Sequence, residues 1–151
     1  MKNYATHAAE LFESGYNCAQ AVTVAFCDVI GMEEKAAAAM ASSFGGGMGR
    51  MREVCGAVSG MLLVAGILYG YETPGDDSVK AAHYQRVQQM ASQFRQEAGS
   101  IICREILKNP PSDPSPTPRS AEFYQMRPCT RMVYLAAEIM SNYICAYPKS
   151  L

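Results

Sequence analysis

The sequence predicts an all-α fold, a single-domain helical bundle packed around a buried Gly/Ala-rich central helix. From Val54 to Tyr71 no residue is charged, and glycine and alanine alternate with larger apolar side chains. A helix that is apolar nearly all round is usually buried among other helices. The flanking segments carry apolar residues at helical spacing between turn residues, and no segment shows the alternation of a strand. These patterns place the central helix at Val54–Gly70.

The central helix also has a membrane interpretation. Its uncharged run is about 18 residues, the lower limit of a span, and Gly56 and Gly60 have the GxxxG spacing. So many glycines in a short run, with basic residues not confined to one flank, favour burial in a soluble core. No membrane span is therefore expected.

Three helices are predicted before the glycine-rich loop, residues 43–53, whose four glycines indicate that a neighbour packs very close to its backbone. Asn3–Phe12 has an amphipathic pattern that turn residues end. Asn17 is a good N-cap for a second helix that reaches about Ile30. Acidic residues open a third, which runs from Glu33 to Ala41.

Three further segments follow the central helix. A long helix with one wet face is predicted for Asp77–Glu97, and a short helical piece for Ile101–Leu107. A proline-rich crossover at about 109–119 cannot be helical. The last helix begins near Pro128, because proline is favoured at the first helical position.

Composition indicates one domain covering residues 1–151. The chain has 151 residues and is 49% hydrophobic, which is enough for one core. A net charge of -1 gives no reason to expect nucleic acid as a partner. The first ten residues lack the apolar core of a signal peptide, so a cytoplasmic location is expected.

The six cysteines sort into two groups. Cys27 and Cys145 lie near the far ends of predicted helices and are interpreted as small core residues. The other four follow helix-start signals, where the helix dipole and nearby arginines, such as Arg50 and Arg52 before Cys55, lower the pKa of a thiol. They are Cys18, Cys55, Cys103 and Cys129. There is no CxxC motif, which removes thioredoxin-like and zinc-knuckle sites.

The segment Cys55-Gly56-Ala57-Val58-Ser59-Gly60, with a glycine loop before it, resembles the redox-active protein family named for its C…CGAxxG…C…C pattern (C_GCAxxG_C_C). The resemblance covers nearly the whole chain, with Cys18, Cys55, Cys103 and Cys129 in order. It implies a helical protein with a redox role and supplies no substrate. Cys27 and Cys145 are extra to the pattern.

Three functions remain open. In the first, a low-pKa Cys55 attacks an oxidised partner and Cys18 or Cys129 resolves the mixed disulfide, as in a thiol-disulfide oxidoreductase. In the second, Cys18, Cys55, Cys103 and Cys129 hold an iron–sulfur cluster or zinc. In the third, the chain is a non-catalytic helical interaction module. The redox partner is unknown, and the small-residue helix makes a homodimer plausible.

Two other features carry weaker signals. The loop Gly45–Arg50 lacks the Lys-Ser/Thr of a P-loop and follows no strand, so phosphate binding by this loop is not expected. His7 and His83 lie on apparently polar helices and are expected at the surface.

Overall fold

The architecture is described from a computed structural model that covers residues 2–149. Within this range the chain forms α-helices and one short 3-10 turn, Ser42–Phe44. The helices are α1 (Tyr4–Glu13), α2 (Cys18–Ala25), α3 (Cys27–Ile30), α4 (Glu34–Ala41), α5 (Gly56–Tyr69), α6 (Asp77–Ala98), α7 (Cys103–Ile106), α8 (Ala121–Met126) and α9 (Cys129–Ala146). The all-α prediction is confirmed.

Side-chain caps fix where several helices begin. Asn3 accepts a hydrogen bond from the Thr6 amide, and Asp76 caps α6 in the same way. Asn17 forms a full capping box with Gln20, so its side chain and that of Gln20 each bind the other residue's amide. These residues have non-helical backbone angles and satisfy amides that the first turn leaves free.

The central helix α5 is the core of the bundle, as predicted. It packs against α2, α9 and α6, while α1 lies along α9. A Cβ atom at Gly60 would lie only 2.6 Å from the Ala19 carbonyl oxygen of α2, so the glycine permits this close approach. Between residues 2 and 149, no helix is long and apolar enough to cross a membrane.

Three boundaries differ from the predictions. The second helix breaks at Phe26, whose backbone angles are not helical, and resumes as α3. Cys55 is not inside the central helix but caps it, and Val54 forms an isolated antiparallel bridge with Ile102. Helix α8 was not predicted, because six residues between the proline segment and Pro128 carry too short a periodic pattern.

The proline-rich segment 109–119 contains no helix, as predicted. Arginine side chains of the glycine loop bind it. Arg52 Nε donates to the Pro111 carbonyl oxygen at 2.9 Å, and Arg50 Nη2 donates to Thr117 Oγ1 at 2.7 Å. The segment is therefore held over the glycine loop.

Candidate functional site

Four helix starts bring the predicted cysteines to one place. Cys18, Cys103 and Cys129 are the first residues of α2, α7 and α9, and Cys55 is the residue before α5. All four line one cavity of about 440 Å³. None of the six cysteines is in a disulfide. The four cysteines named from the sequence therefore line the same cavity, although the chain separates them widely.

One side of the cavity is the α2–α5 wall, made of Asn17, Cys18, Cys55 and Gly56. Gly56 packs directly against the Cys18 sulfur, and a Cβ atom there would also lie 2.8 Å from the Phe44 carbonyl oxygen. The two glycines of the CGAxxG segment thus have a structural role, since Gly60 lets α5 approach α2 one turn further along. This contact brings Cys18 beside the residue that follows Cys55.

The other side is the Arg52–Cys103 wall, made of Arg52, Cys103, Ile106 and Leu107. The Cys103 amide donates to the Glu53 carbonyl oxygen at 2.6 Å, which ties the start of α7 to the glycine loop. Gly47, whose φ is 72°, lies against Cys103. A Cβ atom at Gly47 would be only 2.7 Å from Cys103 Cβ. The sequence prediction that something packs closely on the glycine loop is confirmed, and Cys103 is one of the residues that do so.

Arg52 supplies a positive charge beside Cys103. Its Nη1 donates to Cys103 Sγ at 3.7 Å, and the side chain is buried, with 4% of the residue exposed. Its φ of 62° is in the left-handed region, which a non-glycine residue seldom adopts without compensating contacts. By contrast Arg104, the neighbour of Cys103 in sequence, turns away and pairs with Glu53.

Burial dominates the electrostatics of the other three thiols. Burial raises the pKa of Cys55 well above its ordinary value, and the neighbouring Cys18 adds to the effect. The pKa of Cys18 is also raised, mainly by burial with a contribution from Cys103. For Cys129, burial raises the pKa to about 12, against the opposing charges of Arg127 and Arg119.

The expectation of a low-pKa, accessible Cys55 is therefore wrong. Only 7% of Cys55 is exposed, and its thiolate would have to exist in an apolar setting. A position before a helix does favour a thiolate, but the cost of desolvation is larger here. Desolvation likewise raises the pKa values of Cys18 and Cys129, although these two residues are only half-buried.

The cavity has a cationic lining. Arg50, Arg52, Arg119 and Arg127 all contribute to it, and no aspartate or glutamate does within the described chain. Arg119 Nη1 donates to the Phe12 carbonyl oxygen at 3.0 Å, and its guanidinium stacks over the Phe12 ring. Residues of α1, α8 and the proline segment therefore also line the cavity.

A metal site requires a tighter arrangement than the thiols have. No group of three or more histidine, cysteine, aspartate or glutamate side chains in residues 2–149 is arranged to hold a metal ion. Four thiols lining a common cavity would have to move closer together to form the tetrahedral shell of zinc or a cluster.

The remaining candidates lie elsewhere. Cys27 is buried against Val24 and Ala37, as expected, but Cys145 is exposed and the core interpretation was wrong for it. His83 is buried rather than at the surface, with Nδ1 2.9 Å from Arg86 Nη1. Burial and the Arg86 charge lower the pKa of His83, which keeps it neutral.

The family model described as "Putative redox-active protein (C_GCAxxG_C_C)" matches residues 16–143. The chain belongs to this family. The matched range includes the four cavity cysteines and leaves out Cys145. No curated protein and no solved structure matches the chain.

Sequence reasoning did not find the partner of Arg52. The residue precedes Cys55 by three positions, so its charge was expected to act on that thiol. In the fold it contacts Cys103, 51 positions away. Nothing in the sequence separates Arg52 from Arg50 or Arg104, because its burial depends on how the proline segment closes over the loop.

Proposed function

We propose that this C_GCAxxG_C_C protein exchanges electrons through its cavity cysteines by thiol–disulfide chemistry. The observation that carries the proposal is the convergence of Cys18, Cys55, Cys103 and Cys129 on one cavity, while Cys27 and Cys145 lie outside it. A cavity shared by free thiols permits a mixed disulfide with a partner and its resolution within the chain.

Cys103 is the attacking thiol in this proposal, in place of Cys55. It is the cavity cysteine with a guanidinium donor on its sulfur, and a nearby cation favours the thiolate that such chemistry needs. The positive charge is buried with it, so solvent screens it little. Helix α7 has only four residues, so its dipole stabilises a thiolate at Cys103 less than the contacting guanidinium does.

Cys18 and Cys129 are the proposed resolving thiols. Cys103 contributes to the raised pKa of each, so both lie within electrostatic reach of its sulfur. Cys55 in turn is influenced by Cys18 and Cys129.

The experiment is a thiol and metal inventory of protein purified without oxygen. The double variant Cys27→Ala/Cys145→Ser retains only the cavity cysteines, so every thiol lost on oxidation belongs to the site. We expect two or four thiols to be lost and regained reversibly with a dithiol reductant, and no stoichiometric metal. Iron or zinc bound in stoichiometric amount and lost in Cys103→Ser would replace this proposal with a metal site. Four thiols inert to oxidants until unfolding would leave a structural role for the cysteines.

A further inference from the structure

Arg52, which lines the cavity, has one buried hydrogen-bond donor without an acceptor. Its Nε is used by the Pro111 carbonyl oxygen, and its Nη1 makes the long contact with Cys103 Sγ. Its Nη2 is buried, and no residue from 2 to 149 accepts a hydrogen bond from it. Arg52 is one of the residues that line the cavity, so this unpartnered donor belongs to the cavity wall.

The other arginines of the cavity are already engaged. Arg50 pairs with Asp113 and donates to Thr117, and Arg119 donates to backbone carbonyls at Phe12 and Tyr16. Arg127 packs over the Phe123 ring. Arg52 differs from them because one of its buried guanidinium nitrogens has no hydrogen-bond acceptor among the described residues.

A buried guanidinium without an anion is costly. Arginine stays protonated throughout the physiological range, so it cannot escape the cost of burial by losing its proton. Burying a polar donor without an acceptor is destabilising, and the cost is larger for a charged group. The usual compensation is an anionic oxygen, which forms strong, short hydrogen bonds with guanidinium donors.

We infer that the cavity binds a small carboxylate-bearing disulfide, with its carboxylate on Arg52 and its sulfur–sulfur bond facing Cys103. The reaction in this inference rests on the proposed function, whereas the carboxylate site is argued only from the contacts and burial of Arg52. The contact between Nη1 and Cys103 Sγ means that an anion on the same guanidinium is held next to the attacking sulfur.

Size and wall chemistry define the rest of the ligand. A cavity of about 440 Å³ is in the range of small-molecule sites. Apolar side chains such as Phe12, Ile106 and Met132 line much of it, which suits a short hydrocarbon arm. A carboxylate carries one charge and two oxygens, so it requires fewer donors from this largely apolar cavity than a phosphate does.

The reaction balances with the disulfide as oxidant. The Cys103 thiolate attacks one sulfur of the ligand, its S–S bond breaks, and one half leaves as a thiolate that takes up a proton. Cys18 or Cys129 then loses its proton, attacks Cys103 Sγ and releases the second half, which takes up that proton. The protein dithiol has lost two electrons, and the ligand has become two thiols.

Carboxylate binding is tested without any redox step. The probe is 3,3′-thiodipropionate, a dicarboxylate thioether without a disulfide, titrated calorimetrically into the reduced protein. We expect saturable binding that weakens about tenfold or more in Arg52→Gln, the effect of losing one charge-assisted hydrogen bond. Arg131→Gln is the control, because Arg131 is exposed and does not line the cavity. No binding to the wild-type protein, or binding of inorganic phosphate instead, would overturn the inference.

Selectivity is tested with three disulfides of similar length and different charge. They are 3,3′-dithiodipropionate (anionic), bis(2-hydroxyethyl) disulfide (neutral) and cystamine (cationic). The rate at which each disulfide oxidises the protein is divided by the rate at which the same disulfide reacts with 2-mercaptoethanol. This ratio corrects for differences in the intrinsic reactivity of the three disulfides. We expect the wild-type protein to favour the anionic reagent over the neutral one by about tenfold, and Arg52→Gln to lose this preference.

The outcomes separate the two proposals. Equal corrected rates for all three reagents would overturn the carboxylate site and leave thiol–disulfide exchange intact. Saturable thiodipropionate binding with no reaction of any disulfide would keep the site and overturn the proposed function. If Arg52→Gln does not fold, the preference of the wild-type protein among the three disulfides tests the carboxylate site by itself. Arg52→Lys then provides a variant that keeps the positive charge.

Discussion

The two walls of the cavity present cysteines in opposite electrostatic settings. On the α2–α5 wall, Cys18 and Cys55 lie at helix starts, where a thiolate is favoured, yet burial raises the pKa of both. On the Arg52–Cys103 wall, the helix has only four residues, but a buried guanidinium touches the sulfur. The comparison teaches that a charge in direct contact, rather than position on a helix, distinguishes one buried cysteine from another.

The largest effect is expected from the glycines that form the α2–α5 wall. Gly56→Ala and Gly60→Ala each force a methyl group against α2 or the loop before α5, including backbone atoms that cannot rotate away. We expect each to lower the free energy of unfolding by about 1–3 kcal/mol. Urea denaturation measures this.

Gly66→Ala is the matched control in the same helix, because no atom lies within 4 Å of a Cβ there. It should stabilise the protein by about 0.5–1 kcal/mol through reduced backbone entropy. If alanine changed the free energy of unfolding equally at all three positions, helix propensity rather than close packing on Cys18 would explain the glycines of the CGAxxG segment.

The Arg52–Cys103 wall is tested by alkylation of the reduced protein at neutral pH. Arg52→Gln should slow labelling of Cys103 by about tenfold, because it removes the buried cation that contacts the sulfur and favours its reactive thiolate form. Mass spectrometry of peptides gives the rate at each cysteine. Arg104→Gln is the control, since Arg104 neighbours Cys103 in sequence but pairs with Glu53. A larger effect of Arg104→Gln than of Arg52→Gln would contradict the assignment.

The raised pKa of Cys129 predicts a loss of stability in alkaline solution. In the unfolded chain this thiol ionises near pH 9, whereas in the fold its pKa is about 12. Ionisation therefore favours the unfolded chain as pH rises from 9 towards 12, and the contribution is fully present below pH 9.

Thermal unfolding between pH 7 and 11 measures this contribution. Cys129→Ala removes the thiol, so its stability should decline less steeply above pH 9 than that of the wild-type protein. Parallel declines would show that Cys129 is more exposed to solvent than the fold indicates.

The smallest effects are expected outside the cavity. Cys145→Ser changes an exposed side chain, and Cys27→Ala removes one sulfur from a small buried cluster. Neither change should alter the number of thiols that oxidise reversibly, counted with a thiol reagent before and after oxidation. If either variant had two fewer reversibly oxidised thiols, the substituted cysteine would be a member of the redox pair, and the pair would not be formed by cavity cysteines alone.

Much of the fold can be predicted from local patterns. Asn3, Asn17 and Gly99 mark helix ends by chemistry that acts within one turn, and the uncharged run after Val54 marks the buried helix. Helix α8 was missed because its six residues are ordered by contacts of Phe123 and Tyr124 with α1 rather than by their own periodicity.

The site is predictable in its cysteines but not in its electrostatics. The positions of Cys18, Cys103 and Cys129 follow from helix-start signals that the sequence displays. Which thiol is desolvated and which meets Arg52 depends on the proline segment folding back over the glycine loop, a contact between residues about 60 positions apart. No local pattern encodes that contact.

The most direct test of the central claim is differential alkylation of all six cysteines across a series of redox potentials. Light and heavy forms of one maleimide, read by mass spectrometry, give the thiol fraction at each position. The account predicts that Cys103 and one of Cys18 or Cys129 are oxidised together in a reversible two-electron transition, while Cys27 and Cys145 remain thiols. Oxidation confined to Cys145 through a bond between two chains, or no oxidation at any cavity cysteine, would contradict it.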